Sequence, residues 1–186
     1  MAKIIPAVLE KTEEDFIRKI ALLPAEAKYI HIDVLEDDIW APIEREFEAH
    51  LMVADPLAIM DRWVKRGAKR IIVHKLTSEI LEHKREVEIG LGVEMQVPIE
   101  EVLPLSRDAC FVHLMSIDKI GAQGNPLDER IFDRIKELKK IYPTTFISVD
   151  GGINAENFQR LIDAGADRLV VGSHFNEVWT SQMKRS

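Results

Sequence analysis

At 186 residues, 46% of them hydrophobic and 31% charged, the chain is long enough to bury a full core and reads as one globular domain, residues 1–186. A net charge of -7, with lysines and arginines spread along the chain, argues against nucleic acid as a partner. No apolar run approaches the roughly 20 residues that span a bilayer, no signal peptide is visible, and the single cysteine, Cys110, excludes an internal disulfide; the expected setting is cytoplasmic, away from membranes.

In chain order, residues 3–9 (KIIPAVL) predict a first strand in spite of Pro6. Thr12 caps a helix whose first turn holds Glu13, Glu14 and Asp15, where the helix dipole favours acids. Phe16, Ile17, Ile20, Leu22 and Leu23 form its apolar stripe. Residues 29–35 (YIHIDVL) are the second strand, and 37–44 leave room for one or two helical turns. A third strand at 47–53 (FEAHLMV) precedes a helix at 56–66, which Gly67 ends. Residues 70–76 (RIIVHKL) and 88–95 (EIGLGVEM) are the fourth and fifth strands, each followed by a short helix, 78–85 and one beginning near Pro98. The sixth strand, 109–116 (ACFVHLMS), leads into a glycine-bearing loop at 120–125 and a long helix at 128–141. Residues 145–150 are the seventh strand, with a helix expected from Asn154 to Ala164; 168–172 (RLVVG) are the eighth, with a last helix at 174–183.

Short apolar strands alternating with helices predict a parallel sheet covered by helices. Eight such units predict an α/β fold, the closed (β/α)8 TIM barrel, whereas an open doubly wound sheet of five or six strands leaves units over. Because that barrel usually takes ~250 residues, the helices after strands 2, 5 and 8 are expected to be short.

Barrel enzymes gather their working residues at the carboxyl ends of the strands. His31 and Asp33 are two apart and face one side of the second strand, and apolar Ile30, Ile32 and Val34 on the other face make that side the interior. The third strand brings His50, the fourth His74, the sixth His113 and the seventh Asp150. Imidazoles and carboxylates buried together are costly unless paired or bound to a cation, so a metal or acid–base centre is expected there. Mixed nitrogen and oxygen donors suit one divalent Zn, Mn, Fe or Co ion better than calcium or magnesium. Separately, Gly151-Gly152 and Gly172-Ser173 each stand between a strand and a helix, in the seventh and eighth loops where such barrels often hold phosphate. Either loop singly is an ordinary turn; both together favour a phosphorylated ligand.

Ile5-Pro6-Ala7-Val8-Leu9, Ile30-His31-Ile32-Asp33-Val34, His50-Leu51-Met52-Val53 and Val149-Asp150-Gly151-Gly152-Ile153-Asn154 resemble the ribulose-phosphate 3-epimerase family, in the same order. Ala164-Gly165-Ala166-Asp167 and Val170-Val171-Gly172-Ser173 extend the resemblance nearly end to end. It implies a (β/α)8 barrel isomerase in which His31, Asp33, His50 and Asp150 hold a divalent metal. Asp33 and Asp150 would act as acid and base on opposite faces of a sugar's third carbon. Gly151, Gly152, Gly172 and Ser173 would hold its phosphate, with Gly121 and Gln123 echoing the family's sixth loop. A homo-oligomer is also implied.

The chain departs from the family at Glu10, at Leu35-Glu36-Asp37, at Lys75-Leu76 and at Glu94-Met95-Gln96-Val97-Pro98. The substrate, D-ribulose 5-phosphate or a related phosphosugar, therefore stays open. So do two alternatives, a phosphosugar-binding protein without activity and a phosphosugar lyase or decarboxylase on the same barrel. Against the last, the third strand carries no lysine.

Overall fold

The computed structural model describes residues 2–118, 121 and 124–184. Eight strands, β1 (Lys3–Val8), β2 (Tyr29–Val34), β3 (Glu46–Leu51), β4 (Arg70–Val73), β5 (Glu88–Val93), β6 (Phe111–Met115), β7 (Ile147–Asp150) and β8 (Arg168–Val171), close in chain order into a barrel. Every neighbouring pair is parallel. Among the described residues seven α-helices surround it: α1 (Glu13–Leu22), α2 (Leu57–Lys65), α3 (Ser78–Glu82), followed by a 3-10 turn at His83–Arg85, α4 (Ile99–Leu105), α5 (Ile131–Ile141), α6 (Phe158–Ala164) and α7 (Phe175–Met183). This is the (β/α)8 barrel. No helix among the described residues is long and apolar enough to cross a membrane.

The strands have two faces of different chemistry, and the alternation along each strand assigns them. Ile30, Ile32 and Val34 of β2 and Phe47, Ala49 and Leu51 of β3 join the apolar layer between barrel and helices. On the inner face, Ile5, Ala7 and Val170 pack together with Tyr29 against them, and Ile72, Phe111 and Met115 are also buried there. Beside these lie His31, Glu48, His50, His113, Ser148 and Arg168, each at most 1% exposed. The register sets Asp33 opposite His50 across β2 and β3, and Met115 opposite Asp150 across β6 and β7.

Local differences from the expected elements have identifiable causes. Residues 37–44 form no helix. Instead Asp38, at φ 47°, accepts hydrogen bonds from Trp63 Nε1 (3.0 Å) and Arg66 Nη1 (2.7 Å) and pairs with Arg62, while Trp40 packs on Phe47 and Trp63. Contacts to α2 thus outweigh local helix formation. Helix α6 begins at Phe158 rather than Asn154. Asn154 Oδ1 accepts from the amides of Glu156 (2.9 Å) and Asn157 (3.1 Å), and Asn157 Oδ1 accepts from the Asn154 amide (2.9 Å), an Asx-type turn that delays the helix. Thr12 caps α1 as expected, its Oγ1 accepting from the Asp15 amide at 3.1 Å. β4 ends at Val73, so His74 stands just past its strand. Of the helices expected to be short, the one after β2 is absent, α4 has seven residues and α7 has nine.

Candidate active site

At the carboxyl end of the barrel a cavity of about 430 Å³ is lined by Asp33, Met52, Asp150, Gly152, Gly172 and Ser173 among others. Gly121 and Gly151 also line it; Gln123 lies outside the described residues. The positions named from sequence as acid–base and phosphate-contacting residues thus border one space, with His31 and His50 buried beneath it.

Three imidazoles occupy the floor, and each has a partner on one ring nitrogen. His31 Nδ1 donates to Glu48 Oε1 at 2.7 Å. His50 Nε2 lies 2.8 Å from His74 Nε2, so one N–H is shared between them, and His74 Nδ1 is 3.6 Å from Glu94 Oε1. His113 Nδ1 lies 3.1 Å from Ser148 Oγ. The other nitrogens turn to the carboxylates. His31 Nε2 is 3.3 Å from Asp33 Oδ1 and 3.8 Å from Asp150 Oδ2, His50 Nδ1 is 3.4 Å from Asp33 Oδ1, and His113 Nε2 is 3.4 Å from Asp150 Oδ2.

Charges in this floor are strongly interdependent. Arg168 Nη1 stands 2.7 Å from Glu48 Oε2, yet off the hydrogen-bonding axis, so the contact is a close ion pair without a directed hydrogen bond. Burial would raise the Glu48 carboxyl, but the His31 hydrogen bond and the Arg168 charge hold it below its usual range. Burial also opposes charge on His31, but its hydrogen bonds to Asp33 and Glu48 prevail and raise it to about 10. His113 is pushed well below the usual imidazole range by burial and by the neighbouring cations, and burial and His50 bring His74 to about 3. The two aspartates separate. Against the cost of burial, His31 and His50 hold Asp33 well below the carboxylate range, whereas burial and the Asp33 charge push Asp150 up to about 7.

Glu48, Arg168 and Ser148 are supporting residues that sequence reading did not assign, whereas His74 was expected at the strand ends and takes a supporting place behind His50. A signal for the first existed. Glu48 is two before His50 and so shares its inward face. Nothing local pairs it with Arg168, which arrives 120 residues later (168 − 48) through barrel closure. The His74 ring lies close over Gly92; a Cβ there would stand 3.1 Å from the imidazole, which would have to shift by a few tenths of an ångström. His74 and Glu94 also border a second cavity, of about 550 Å³, next to the first.

These residues fit a divalent cation. Buried polar atoms in folded proteins are overwhelmingly hydrogen-bonded, yet His50 Nδ1 and His113 Nε2 are buried without a hydrogen-bond partner. Ligand atoms from His31, His50, His113 and Asp150 lie within 4.8 Å of one another. Bonds of about 2.0–2.2 Å to a common ion would set adjacent donors roughly 3–3.5 Å apart, close to the 3.3 Å between His31 and Asp33 and the 3.4 Å between His113 and Asp150.

A parallel barrel with buried imidazoles and carboxylates at its strand ends, below a cavity rimmed by glycine loops, defines a (β/α)8 enzyme for small substrates. The Ribulose-phosphate 3 epimerase family matches residues 3–176, and the chain belongs to that family. It is 24% identical to ribulose-phosphate 3-epimerase of Schizosaccharomyces pombe, over 92% of this chain and 86% of the relative. With the Treponema pallidum enzyme of that name it shares 27% identity over 92% and 90%, and with the Chlamydia muridarum one 30% over 85% and 80%. By family it is an epimerase of the isomerase class. Among solved structures, 3-hexulose-6-phosphate synthase from Salmonella typhimurium superposes with a TM-score of 0.71 at 14% identity, covering 99% of this chain and 100% of that one; this likeness concerns the fold.

Proposed function

We propose that the protein inverts carbon 3 of a ketose phosphate, D-ribulose 5-phosphate to D-xylulose 5-phosphate or a close relative, by two-aspartate acid–base catalysis. The observation that carries this reading is the pair Asp33 and Asp150. They face one cavity from β2 and β7, one held ionised and the other pushed towards protonation. The C–H beside the carbonyl loses its proton to one carboxylate, and the carbon regains one on its other face from the second, protonated carboxyl group. The charges of the ion-free protein make Asp33 the base and Asp150 the acid in one direction, with the roles exchanged in the other. His31, Asp33, His50 and Asp150 would hold a divalent ion, which would supply Lewis-acid stabilisation of the negative charge building on the substrate oxygens. Glu48 and His74, bonded to the far nitrogens of His31 and His50, fix the ring orientations.

The altered positions Glu10, Leu35, Glu36, Asp37 and Glu94 do not line the 430 Å³ cavity, which favours retained catalysis over a binding-only protein. Glu36 serves the scaffold, accepting from the Ala54 amide at 2.7 Å and so joining two loops. No lysine lines that cavity among the described residues, which disfavours a lysine-dependent decarboxylase or lyase. The test is solvent deuterium incorporation at carbon 3 across a panel of ketose phosphates, with metal-loaded protein. Exchange together with epimerisation is expected on at least one; neither on any of them would leave only the binding-protein reading.

The substrate phosphate is assigned to the loops after β7 and β8, through Gly151, Gly152, Gly172 and Ser173, with Gly121 and Gln123 on the sixth loop. Gly152 is unsuited to a test. It lies at φ 63°, and a Cβ there would meet the Leu127 nitrogen at 2.3 Å, so any replacement distorts the turn itself. Gly172 is outside the left-handed region and lines the cavity. Inorganic phosphate is expected to raise the melting temperature, by about 2.7 kcal/mol of stabilisation at 100 times its Kd. Gly172→Asp, which sets a like charge there, should abolish the rise. Equal protection of both proteins in a thermal melt would place the anion elsewhere.

A further inference from the structure

We infer that His113 is a third imidazole ligand of the divalent cation, which makes the centre nitrogen-rich and tilts it towards zinc, iron(II) or cobalt(II) and away from manganese. The inference rests on the metal-dependent reading above and extends it to a residue outside the His31, Asp33, His50 and Asp150 set.

His113 projects from the middle of β6, directly across the barrel floor from β2 and β3. Its ring stacks on His31 (centroids 5.2 Å apart, planes 12° apart) and meets His50 edge-on at 4.9 Å. Its side chain is wholly buried. Ser148 Oγ accepts from Arg168 Nε at 3.1 Å and has a second lone pair for the N–H of His113 Nδ1, also at 3.1 Å. That tautomer leaves the Nε2 lone pair facing Asp150 and the other imidazoles. The opposite tautomer would aim an N–H at Asp150 Oδ2 across 3.4 Å, beyond the normal N–H···O range and without hydrogen-bond geometry. Nε2 is therefore a buried, unpartnered acceptor pointing into the space that His50 Nδ1 also faces unpartnered. One cation satisfies both orphaned nitrogens and the carboxylates between them.

The donor chemistry sets the selectivity. Carboxylate and water ligands suit manganese, whereas imidazole suits zinc, iron and copper, and each nitrogen added to a site widens the gap along the divalent series. The arrangement of the support is the same for all three rings: Glu48 behind His31, His74 behind His50, and Ser148, itself held by Arg168, behind His113.

Zinc X-ray absorption on the intact parent protein tests this without any substitution, and three coordinated imidazoles are expected. His113→Leu should lower that count to two and weaken Zn(II) binding at least ~10–100-fold in a chelator competition, while Mn(II) binding changes less. Two imidazoles in the parent, or Zn(II) affinity unaltered in His113→Leu, would overturn the inference. His50→Ala separates the two failures. If it loses zinc while His113→Leu keeps it, only the role of His113 falls. If the parent itself binds neither metal, the metal-dependent reading falls with it.

Discussion

Replacing either Asp33 or Asp150 by Asn is expected to stop epimerisation, with a loss of ~10²–10⁴-fold typical of a general acid–base group. Inversion needs one group to remove the proton and another to return it on the opposite face, so neither carboxylate can substitute for its partner. The two side chains stand at the ends of β2 and β7 and border the same cavity. Asn preserves the size of each and still offers an oxygen, so metal content measured in parallel should fall far less than the rate. The surviving carboxylate can still exchange the substrate proton with solvent from its own face. One variant is therefore expected to incorporate deuterium at carbon 3 of the starting sugar without forming the epimer. Epimerisation at the parent rate in either variant would remove that aspartate from the mechanism.

The other large effect concerns the metal. The parent is expected to carry about one divalent transition ion per chain, and His50→Ala to lose most of it. The substitution removes a buried nitrogen that faces Asp33 at 3.4 Å, and it also leaves His74 Nε2 without its 2.8 Å partner. Retention of the parent's metal by this variant, measured by atomic absorption after dialysis, would exclude His50 as a ligand. Binding is also expected to depend on pH. Without an ion, His31 is raised to about 10 by Asp33 and Glu48 and is therefore an imidazolium at neutral pH. A cation must displace that proton, so affinity should fall on acidification, about tenfold per pH unit while His31 alone gives up a proton and more steeply below about 7, where Asp150 is also protonated. The sign for stability follows from the same shift. The stabilisation from protonated His31 is complete below its unfolded pKa of about 6.5 and is lost as pH rises through about 10.

Much of this was legible along the chain because its signals are local. Alternation in Ile30-His31-Ile32-Asp33-Val34 assigns one face to the helices and the other to the lumen, and eight repeats of strand and helix leave the closed barrel as the solution. The glycine pair after the seventh strand and the carboxylate before it mark the strand end where chemistry gathers. Helix limits were less legible, since Asn154 and Asn157 bond reciprocally before α6 and Asp38 is claimed by Trp63, Arg62 and Arg66. Residue types and their spacing thus determined the barrel, the inward faces and the identity of the carboxylates. Only the tertiary structure decided how Arg168 meets Glu48, how Ser148 meets His113 and how His74 fits over Gly92 behind His50. The Arg168–Glu48 contact joins strands far apart in sequence and needs barrel closure, whereas Ser148 meets His113, and His74 meets Gly92 and His50, across neighbouring strands whose register sets their inner faces side by side. Protonation is decided there too, because a buried group's charge depends on neighbours supplied by other strands.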